Sequence, residues 1–500
     1  MSSRNENFAL LVDVVAERQP ARGALFHDPE AAPLSYGDLS ALIDGWAAAL
    51  AERGAGPDCS VAIWLPNGPT FVAAFLATLR VGAVAAPLGI LLTPPEVRAR
   101  LEIAQPTVLV TTPAQARALG DVGLPVLAEQ PASLETKRPS PIAPVFRNGD
   151  DVAVLVFTSG TAGEPKAAEL THGGIAWNAR ALATGFAMTA DDVQLAVAPL
   201  SHVLGMSCVM NASLISGAAL ALMERFDAEA ALNIIRRAGV TGVMGAPSMF
   251  AALLRQARRS GEAPRLRFAM TGGAAPASEL AQAVEETFGC ALRDSYGMSE
   301  VGGGITLTPL ATAPKPRSVG PAFPGSQLRI VDLLTGAPVP LGERGQVAVR
   351  SPSVMRGYRG QADARGGVID GDGWLCTGDV GYLDADGFLF LVDRKKELII
   401  RSGYNVYPRE VEDVLCACPG VLEAAVVGIP DEEHGEEVVA LVVPAPGGDL
   451  DREAVKAFAR QRLAAYKYPR HVVVVSELPR GPTGKVSKHQ IDRAALRARL

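Results

Sequence analysis

Short runs of apolar and β-branched residues alternate, over the first 270 residues or so, with stretches whose apolar positions recur at helical spacing. The runs lie at 61–65, 83–87, 107–111 and 152–157, and again at 195–199, 218–222, 241–245 and 266–270. A strand, a helix and a further strand in this order build a parallel sheet, because the helix carries the chain back to the same edge. The pattern therefore predicts two doubly wound α/β units in tandem.

The rhythm changes at about Gln327. Apolar runs at 327–331, 346–350 and 388–392 are separated by turns such as Asp386-Gly387, which leave no room for crossover helices and predict an antiparallel barrel or sheet. Five consecutive charged residues follow at 393–397, a composition that a solvated turn would also have. Mixed helix and strand patterns after them predict a small α+β domain of about a hundred residues.

Composition excludes several classes of protein. A chain of 500 residues exceeds one ordinary hydrophobic core, so we expect more than one domain. Its 47 basic and 53 acidic residues give a net charge of −6 without a long basic run, which argues against nucleic-acid binding. Residues 203–223 are uncharged but diluted by Gly, Ser and Asn, which favours a buried helix and a strand over a membrane span. Six scattered cysteines without zinc-site spacing, and an N-terminus without a signal-peptide core, lead us to expect a cytoplasmic location.

The strongest local motif is FTSGTAGEPK at 157–166, which follows an apolar strand. Its glycines let the backbone approach an anion closely, while hydroxyl, amide and lysine donors converge on phosphate oxygens. It is not a Walker A loop, because Lys166 is not followed by the required Ser or Thr. In isolation it could be an ordinary flexible turn. The candidate phosphate-binding residues are Thr158, Ser159, Gly160, Thr161, Gly163 and Lys166.

Five further blocks occur in a fixed order after this loop, at 199–206, 294–300, 376–388, 392–408 and 478–488. Together with the loop they resemble the signatures of the adenylate-forming superfamily, which holds acyl-CoA synthetases, peptide-synthetase adenylation domains and firefly luciferase. The resemblance covers nearly the whole chain after residue 30 and is closest to the acyl-CoA synthetases. It implies an α/β fold in which a large N-terminal domain, of two doubly wound subdomains plus a β-barrel, is hinged to a small α+β C-terminal domain. The implied bounds are 1–394 and 397–500, with the hinge near Lys396.

The same resemblance implies roles in nucleotide binding. Tyr296 is similar to the ring that stacks on adenine, and Glu300 to the carboxylate that binds Mg²⁺, a hard cation that prefers oxygen ligands. Ser299 corresponds to a hydroxyl donor to the α-phosphate, and Asp379 and Arg394 to ribose contacts. Without the other blocks, Tyr296 would be read as a core aromatic and Asp379 as a turn residue. The remaining nucleotide-site candidates are Gly273, Ala274, Ser295 and Gly297.

Three residues resemble groups that act on the acyl and thiol substrates. Lys485, in a Gly/Pro-rich loop, resembles the lysine that holds the carboxylate against the α-phosphate, and its simplest alternative is a surface lysine. His202 resembles the residue that gates access to the reacting carboxyl group, although a structural histidine remains an alternative. Gly403 resembles the glycine that lines a pantetheine tunnel once the C-terminal domain has rotated about the hinge.

These groups imply an acid–thiol ligase that uses ATP, Mg²⁺ and coenzyme A. A carboxylate attacks the α-phosphate of MgATP, pyrophosphate leaves, and a thiol then attacks the acyl-adenylate. The segments that resemble the acyl-pocket walls carry no charged side chain, which favours a fatty or aryl acid over amino acids or dicarboxylates. These segments are 203–210, 244–249, 272–274 and 301–306.

Alternatives remain at this point. The thiol could belong to an acyl carrier protein instead of coenzyme A, since both present phosphopantetheine. A phosphotransferase that makes acyl-phosphate fits the phosphate loop alone, and a non-catalytic binding protein is disfavoured because Lys166, Glu300, Asp379 and Lys485 are all present. The oligomeric state is left open between a monomer and a homodimer.

Overall fold

The computed structural model describes residues 5–27, 31–128, 141–159, 164–272, 278–361, 367–448, 450–480 and 486–497. Contacts divide the chain into two units. The first consists of residues 1–328, 349–375 and 387–389, and the second of residues 329–348, 376–386 and 390–500. The hinge near Lys396 concerns motion and stays a prediction.

The first sheet of the first unit has the strand order β6-β5-β3-β4-β7-β8 and is parallel except for β8, which runs antiparallel to β7. Strands β3, β4 and β5 are buried along their whole length, which explains their nearly continuous apolar sequence. Capping boxes at Ser35, Thr93 and Thr112 begin α2, α4 and α5. The elements up to residue 171 are α1 (Ala9–Arg18), β1 (Gly23–Phe26), β2 (Leu34–Ser35), α2 (Tyr36–Ala51), β3 (Ser60–Trp64), α3 (Pro69–Arg80), β4 (Val84–Pro87), α4 (Pro94–Ala104), β5 (Val108–Thr111), α5 (Pro113–Leu119), β6 (Val126–Leu127), β7 (Val152–Ser159) and β8 (Pro165–Thr171).

The second sheet has the order β13-β12-β11-β9-β10-β1-β2. Gly242 of β11 is opposite Phe268 of β12. Glycine is required at this position because a Cβ would lie 2.1 Å from the Phe268 ring. The elements that follow β8 are α6 (His172–Gly185), β9 (Val193–Ala196), a π-helix (Leu204–Asn211), α7 (Ala212–Ser216), β10 (Ala219–Leu222), α8 (Ala228–Arg237), β11 (Gly242–Gly245), α9 (Pro247–Ser260), β12 (Phe268–Gly272), α10 (Ser278–Phe288), β13 (Leu292–Ser295), β14 (Gly297–Met298), a 3-10 helix (Ser299–Val301) and β15 (Gly303–Gly304).

These two sheets confirm the α/β prediction, with two differences. Strands β1 and β2 precede the first sheet in the chain but pair in the second, where β1 runs parallel to β10. The buried helix expected within 203–223 begins as a π-helix, which closes its hydrogen bonds one residue later than an α-helix. Gly205 fits there because a Cβ would lie 2.2 Å from the Pro199 carbonyl oxygen. Among the described residues, no helix combines the length and apolar character needed to cross a bilayer.

Residues 320–394 supply the strands that the sequence assigned to an antiparallel barrel or sheet. Strand β16 pairs antiparallel with β20, with Gly320 opposite Leu389. The division between units runs through several of these strands. They are β16 (Gly320–Pro321), β17 (Gln327–Val331), β18 (Gly345–Arg350), β19 (Leu375–Leu383) and β20 (Phe388–Arg394).

The C-terminal residues of the second unit form the predicted small α+β fold. Its sheet has the order β22-β21-β24-β23, and β25 runs parallel to β24. One face packs on α11 and α12 around Val411, Leu415 and Val455. The elements are a 3-10 helix (Lys395–Glu397), β21 (Ile399–Arg401), β22 (Tyr404–Val406), α11 (Pro408–Cys416), β23 (Val421–Asp431), β24 (Gly435–Pro444), α12 (Arg452–Arg460), β25 (His471–Val474), a 3-10 helix (Lys488–Gln490) and α13 (Arg493–Arg497).

Candidate active site

The two ends of the phosphate-loop motif lie on β7 and β8, which pair as antiparallel strands. Thr158 is opposite Lys166 in the antiparallel register, and Ser159 is opposite Pro165. The pairing brings the two ends of the motif side by side, so that hydroxyl and lysine donors start from adjacent positions. Gly160, Thr161 and Gly163 lie outside the described residues, and their part in the loop stays a prediction.

Lys166 and Glu300, both candidates from the sequence, are connected through a third residue that sequence reasoning missed. The Lys166 Nζ lies 5.0 Å from the centroid of the Tyr358 ring. The Tyr358 hydroxyl donates to Glu300 Oε1 over 2.9 Å. Burial and the Glu300 carboxylate raise the pKa of Tyr358 above its usual range, so the phenol remains a donor. A tyrosine between two glycines and two arginines, in MRGYRG, is the signal that could have identified it.

Glu300 lies in the short 3-10 helix that follows β14, and its backbone oxygen accepts from Met355 N over 2.7 Å. Gly297 and Met298 pair with Gly304 and Gly303 just before this helix. A Cβ on Gly297 would lie 2.0 Å from the Gly303 carbonyl oxygen, so the tight pairing requires glycine at that position. Ser299 opens the 3-10 helix, one residue before the carboxylate.

Tyr296 directly follows β13, at the carboxyl edge of the second sheet. Its neighbour Ser295 is paired with Gly272 of β12, and the Ser295 hydroxyl donates to the Thr306 carbonyl oxygen over 2.7 Å. Parallel strands end at a common edge, which is where ligands bind in open α/β sheets. Tyr296 is buried, with 7% of the residue exposed. Gly273 and Ala274, which follow Gly272, lie outside the described residues.

His202 is exposed and lies two residues before the π-helix. Its backbone N–H donates to the Pro199 oxygen over 3.0 Å, and its Nδ1 accepts a long, 3.4 Å bond from Leu204 N. The His202 backbone is therefore held by the Pro199 oxygen while the residue stays exposed. This placement is compatible with a gating role, which stays a prediction.

The wall segments 203–210 and 301–306 pack against each other. A Cβ on Gly303 would lie 3.1 Å from Ser207 Cβ and 2.8 Å from Asn178 Oδ1, and Asn178 Nδ2 donates to the Gly304 oxygen over 2.8 Å. Burial raises the pKa of the Cys208 thiol to about 12, so the thiol stays neutral. The contact therefore joins two segments that contain no charged side chain.

The two ribose candidates lie together in the second unit. Arg394 Nε is 3.5 Å from Asp379 Oδ1, and the Asp379 side chain is 19% exposed against 56% for Arg394. The Asp379 backbone N–H donates to Thr377 Oγ1 over 3.1 Å, which is the Asx/ST-type turn that an isolated motif would also form. A diol that reached this turn would meet a carboxylate acceptor with a guanidinium beside it.

Gly403 lies in a two-residue turn between β21 and β22, where Arg401 pairs with Tyr404. Ser402 has φ 51° and Gly403 has φ 79°, as a tight hairpin of this kind requires. Arg401, the last residue of β21 before the turn, forms a buried, bidentate ion pair with Glu437, with distances of 2.8 and 2.9 Å. The turn thus presents an exposed glycine on a rigid base.

The 3-10 helix Lys395–Glu397, which contains Lys396, is connected to the 3-10 helix Lys488–Gln490 through the Lys488 side chain. Lys488 Nζ lies 2.7 Å from Glu412 and 3.1 Å from Glu397. Burial favours the neutral amine, but the two carboxylates outweigh it and raise the pKa of Lys488. Lys396 itself is exposed. Lys485, three residues before Lys488, lies outside the described residues, so its catalytic role stays a prediction.

Within the described part of the chain, no group of three or more His, Cys, Asp or Glu side chains could hold a metal ion. A single carboxylate such as Glu300 fits the way Mg²⁺ usually binds with a nucleotide, through one or two carboxylates, the substrate phosphates and water. The residues present therefore fit a cation delivered as MgATP.

The known families and proteins that this chain resembles match residues of both units. A family model described as AMP-binding enzyme matches residues 12–359, and one described as AMP-binding enzyme C-terminal domain matches residues 410–485. A feruloyl-CoA synthase from an Amycolatopsis species is 36% identical, covering 96% of this chain and 97% of the relative. A sulfoacetate–CoA ligase from Cupriavidus necator is 34% identical, with 97% of each covered.

Among solved structures, the ATP-bound form of MatB from Rhodopseudomonas palustris is similar to this chain with a TM-score of 0.90 and 30% identity. The similarity covers 98% of this chain and 99% of that one. A match of this extent includes both α/β sheets and the C-terminal residues.

Proposed function

The chain belongs to the AMP-binding enzyme family and is an AMP-forming acid–CoA ligase, and on that basis we propose that its acid substrate is hydrophobic, either fatty or aryl. The observation that carries the proposal is the contact between segments 203–210 and 301–306, which contain no charged residue. A second charge on the acid would lose its water there without gaining a partner. Burying even a neutral polar group in this way costs about 2–7 kcal/mol, and burying a charge costs more. The feruloyl-CoA synthase relative supports an aryl acid, whereas the sulfoacetate–CoA ligase relative would support a charged one.

In the proposed reaction, the acid's carboxylate oxygen attacks the α-phosphorus of MgATP and pyrophosphate leaves. The coenzyme A thiolate then attacks the acyl carbonyl carbon, and AMP leaves with the former carboxylate oxygen. Carboxylates are poor electrophiles, so the first step supplies the leaving group that the second step needs.

We assign the residues as follows. Lys166 and the loop donors bind the phosphates, with Glu300 as the carboxylate for Mg²⁺ and Tyr296 against adenine. Asp379 and Arg394 contact the ribose, and Lys485 brings the two anions together, so that the rate gain comes from positioning and charge stabilisation. His202 gates the acyl channel, and Gly403 lines the path of the thiol.

The test is a panel of acids scored by pyrophosphate release and then by thioester formation with coenzyme A. We expect C6–C16 fatty acids or cinnamate-like acids to react at least ~100-fold faster, in kcat/KM, than malonate, sulfoacetate or amino acids, since about 3 kcal/mol of desolvation separates the classes. Efficient turnover of a charged acid and of no apolar acid would refute the hydrophobic assignment.

The same panel separates the alternative functions. AMP and pyrophosphate as products support adenylation, whereas ADP would indicate acyl-phosphate chemistry. Repeating the second step with an acyl carrier protein in place of coenzyme A decides which phosphopantetheine carrier is the acceptor.

A further inference from the structure

Tyr358 contacts two charged side chains that are far apart in sequence. Its ring lies under the Lys166 ammonium group at 5.0 Å, and its hydroxyl bonds to Glu300 Oε1 at 2.9 Å. Within the described part of the chain, no ion pair joins Lys166 directly to Glu300. The tyrosine therefore contacts both members of an opposite pair of charges, through its ring on one side and its hydroxyl on the other.

Each contact leaves its charged partner able to bind a ligand. A cation above an aromatic face is attracted by the ring quadrupole and keeps its N–H donors for other acceptors. A carboxylate that accepts one hydrogen bond at Oε1 still has its second oxygen, now held in a fixed orientation. Lys166 is thus prepared for an anion, and Glu300 for a cation.

The backbone fixes Tyr358 relative to both partners. Residue 358 forms an antiparallel bridge with Ala168, two residues from Lys166 on β8. Glu169 N donates to the Gly357 oxygen over 2.9 Å, and Arg359 N donates to the Ala167 oxygen over 2.8 Å. Met355 N reaches the Glu300 oxygen at 2.7 Å, so the segment 355–359 is tied to both ends of the contact.

We propose that Tyr358 is a positioning residue for adenylation, whose ring holds Lys166 and whose hydroxyl orients Glu300 for MgATP. The proposal rests on the roles assigned to Lys166 and Glu300 in the proposed function. The two parts of the Tyr358 side chain have different roles in this proposal. The ring acts on phosphate binding through Lys166, and the hydroxyl acts on cation binding through Glu300.

Two substitutions test the halves separately. Tyr358→Phe keeps the ring and removes the hydroxyl, while Tyr358→Leu removes both. Binding of α,β-methylene-ATP, which cannot release pyrophosphate, is measured by calorimetry with Mg²⁺ and with EDTA, and Mg²⁺ dependence of adenylation is measured in parallel. Tyr382→Phe is the matched control, because Tyr382 is stacked on Phe390 at 5.0 Å and takes no part in the proposed site.

Tyr358→Phe should raise the Mg²⁺ concentration needed for half-maximal adenylation by roughly tenfold and leave nucleotide affinity in EDTA unchanged, as expected for loss of a hydrogen bond to a charged group. Tyr358→Leu should in addition weaken nucleotide binding in EDTA by about 3-fold to 5-fold. In a Lys166→Ala background, Tyr358→Leu should have no further effect on binding in EDTA, because the ring acts through that lysine.

Wild-type Mg²⁺ dependence in Tyr358→Phe would overturn the proposal. So would equal losses of activity in both variants without a change in Mg²⁺ or nucleotide dependence, since that is the signature of a merely structural residue. If Tyr358→Leu fails to fold, Tyr358→Phe carries the test alone. Failure of the wild-type protein to adenylate any acid refutes the proposed function instead, which distinguishes the two.

Discussion

Single residues show where sequence patterns are sufficient and where they are not. The motifs singled out Lys166, Glu300, Asp379 and Arg394 as candidates, whose roles stay predictions, because each lies in a short block of fixed spacing. Tyr358 could not be found in this way, because it lies 58 residues from Glu300 and 192 from Lys166, and the backbone bonds of segment 355–359 to β8 and to Glu300 bring the three together. Spacing reports local geometry, whereas contacts across such separations depend on the whole sheet.

His172, which no motif singles out, is fully buried at the start of α6. Its Nδ1 accepts from Phe8 N over 3.2 Å, and its Nε2 has no hydrogen-bond partner in the described structure. Burial, assisted by the nearby Arg147 charge, lowers the pKa of His172 to about 4. The ring is therefore neutral in the folded protein at pH values where the unfolded chain would protonate it.

This depressed pKa predicts an acid-sensitive contribution to stability. In the unfolded chain the histidine has its ordinary pKa near 6.5, whereas the folded ring binds a proton only near pH 4. Between these two pH values the unfolded state binds more protons, so the free energy of unfolding falls as the pH drops. Between pH 7.5 and pH 5 the loss from this residue should be about 2 kcal/mol. Urea unfolding of wild type and His172→Gln at both pH values measures it as a smaller pH effect in the variant.

The matched control is His27→Gln, because His27 is exposed. It should follow the wild-type pH dependence. A His172→Gln protein with the same pH dependence as wild type would show that the ring does not titrate as described.

At the scale of elements, periodicity was sufficient for most strands and helices. The runs at 61–65, 107–111 and 241–245 became β3, β5 and β11, because burial on a pleated surface selects the same residue types in any fold. It failed for β1, whose partner β10 lies nearly two hundred residues away, since nothing in a four-residue apolar run says which sheet it joins. It also could not distinguish a π-helix from an α-helix, which have almost the same apolar pattern.

The contact of Lys488 with α11 and the 395–397 segment yields an element-scale prediction. Glu412 accepts from Val426 N over 2.7 Å as well as pairing with Lys488, so removing only the lysine leaves a buried carboxylate without its cation. Lys488→Met should lower the free energy of unfolding of the second unit by about 3 kcal/mol. Adding Glu412→Gln, which keeps the oxygen for Val426, should restore a large part of it.

Chemical denaturation followed by far-UV circular dichroism provides the measurement. Arg480→Met serves as the control, since Arg480 and Glu423 form an exposed pair that is expected to contribute less than about 1 kcal/mol. Equal losses from Lys488→Met and Arg480→Met would contradict a special role for the buried group.

The whole molecule raises the question of how one protein performs two half-reactions. Lys485 and Gly403 belong to different segments of the C-terminal residues, and the family resemblance implies that a rotation about Lys396 presents them in turn. Lys485→Ala should lower adenylate formation by at least ~100-fold and still convert supplied acyl-adenylate with coenzyme A. Gly403→Leu should form adenylate and fail to make thioester, and Lys396→Pro should slow the second step alone by stiffening the hinge.

The two half-reactions are measured separately, by pyrophosphate release and by thioester formation from synthetic acyl-adenylate. Gly387→Leu is a matched control for Gly403→Leu, because both glycines have nearly the same positive φ, 78° and 79°. Among the described residues, apart from the chain neighbours, no heavy atom lies within 4 Å of where a Cβ would stand on either glycine. Equal loss of both half-reactions in Lys485→Ala and Gly403→Leu, with the fold intact, would contradict alternation.

The division of the chain into two units also bears on its synthesis. Along the sequence the chain passes between the units five times, at residues 328, 348, 375, 386 and 389. During translation, residues 329–348 leave the ribosome long before the C-terminal strands of the same unit. The contacts within the second unit are therefore complete only after the last hundred residues have been made. A gene fragment that starts at residue 397 likewise encodes only part of the second unit, because residues 329–348 and 376–386 of that unit precede it.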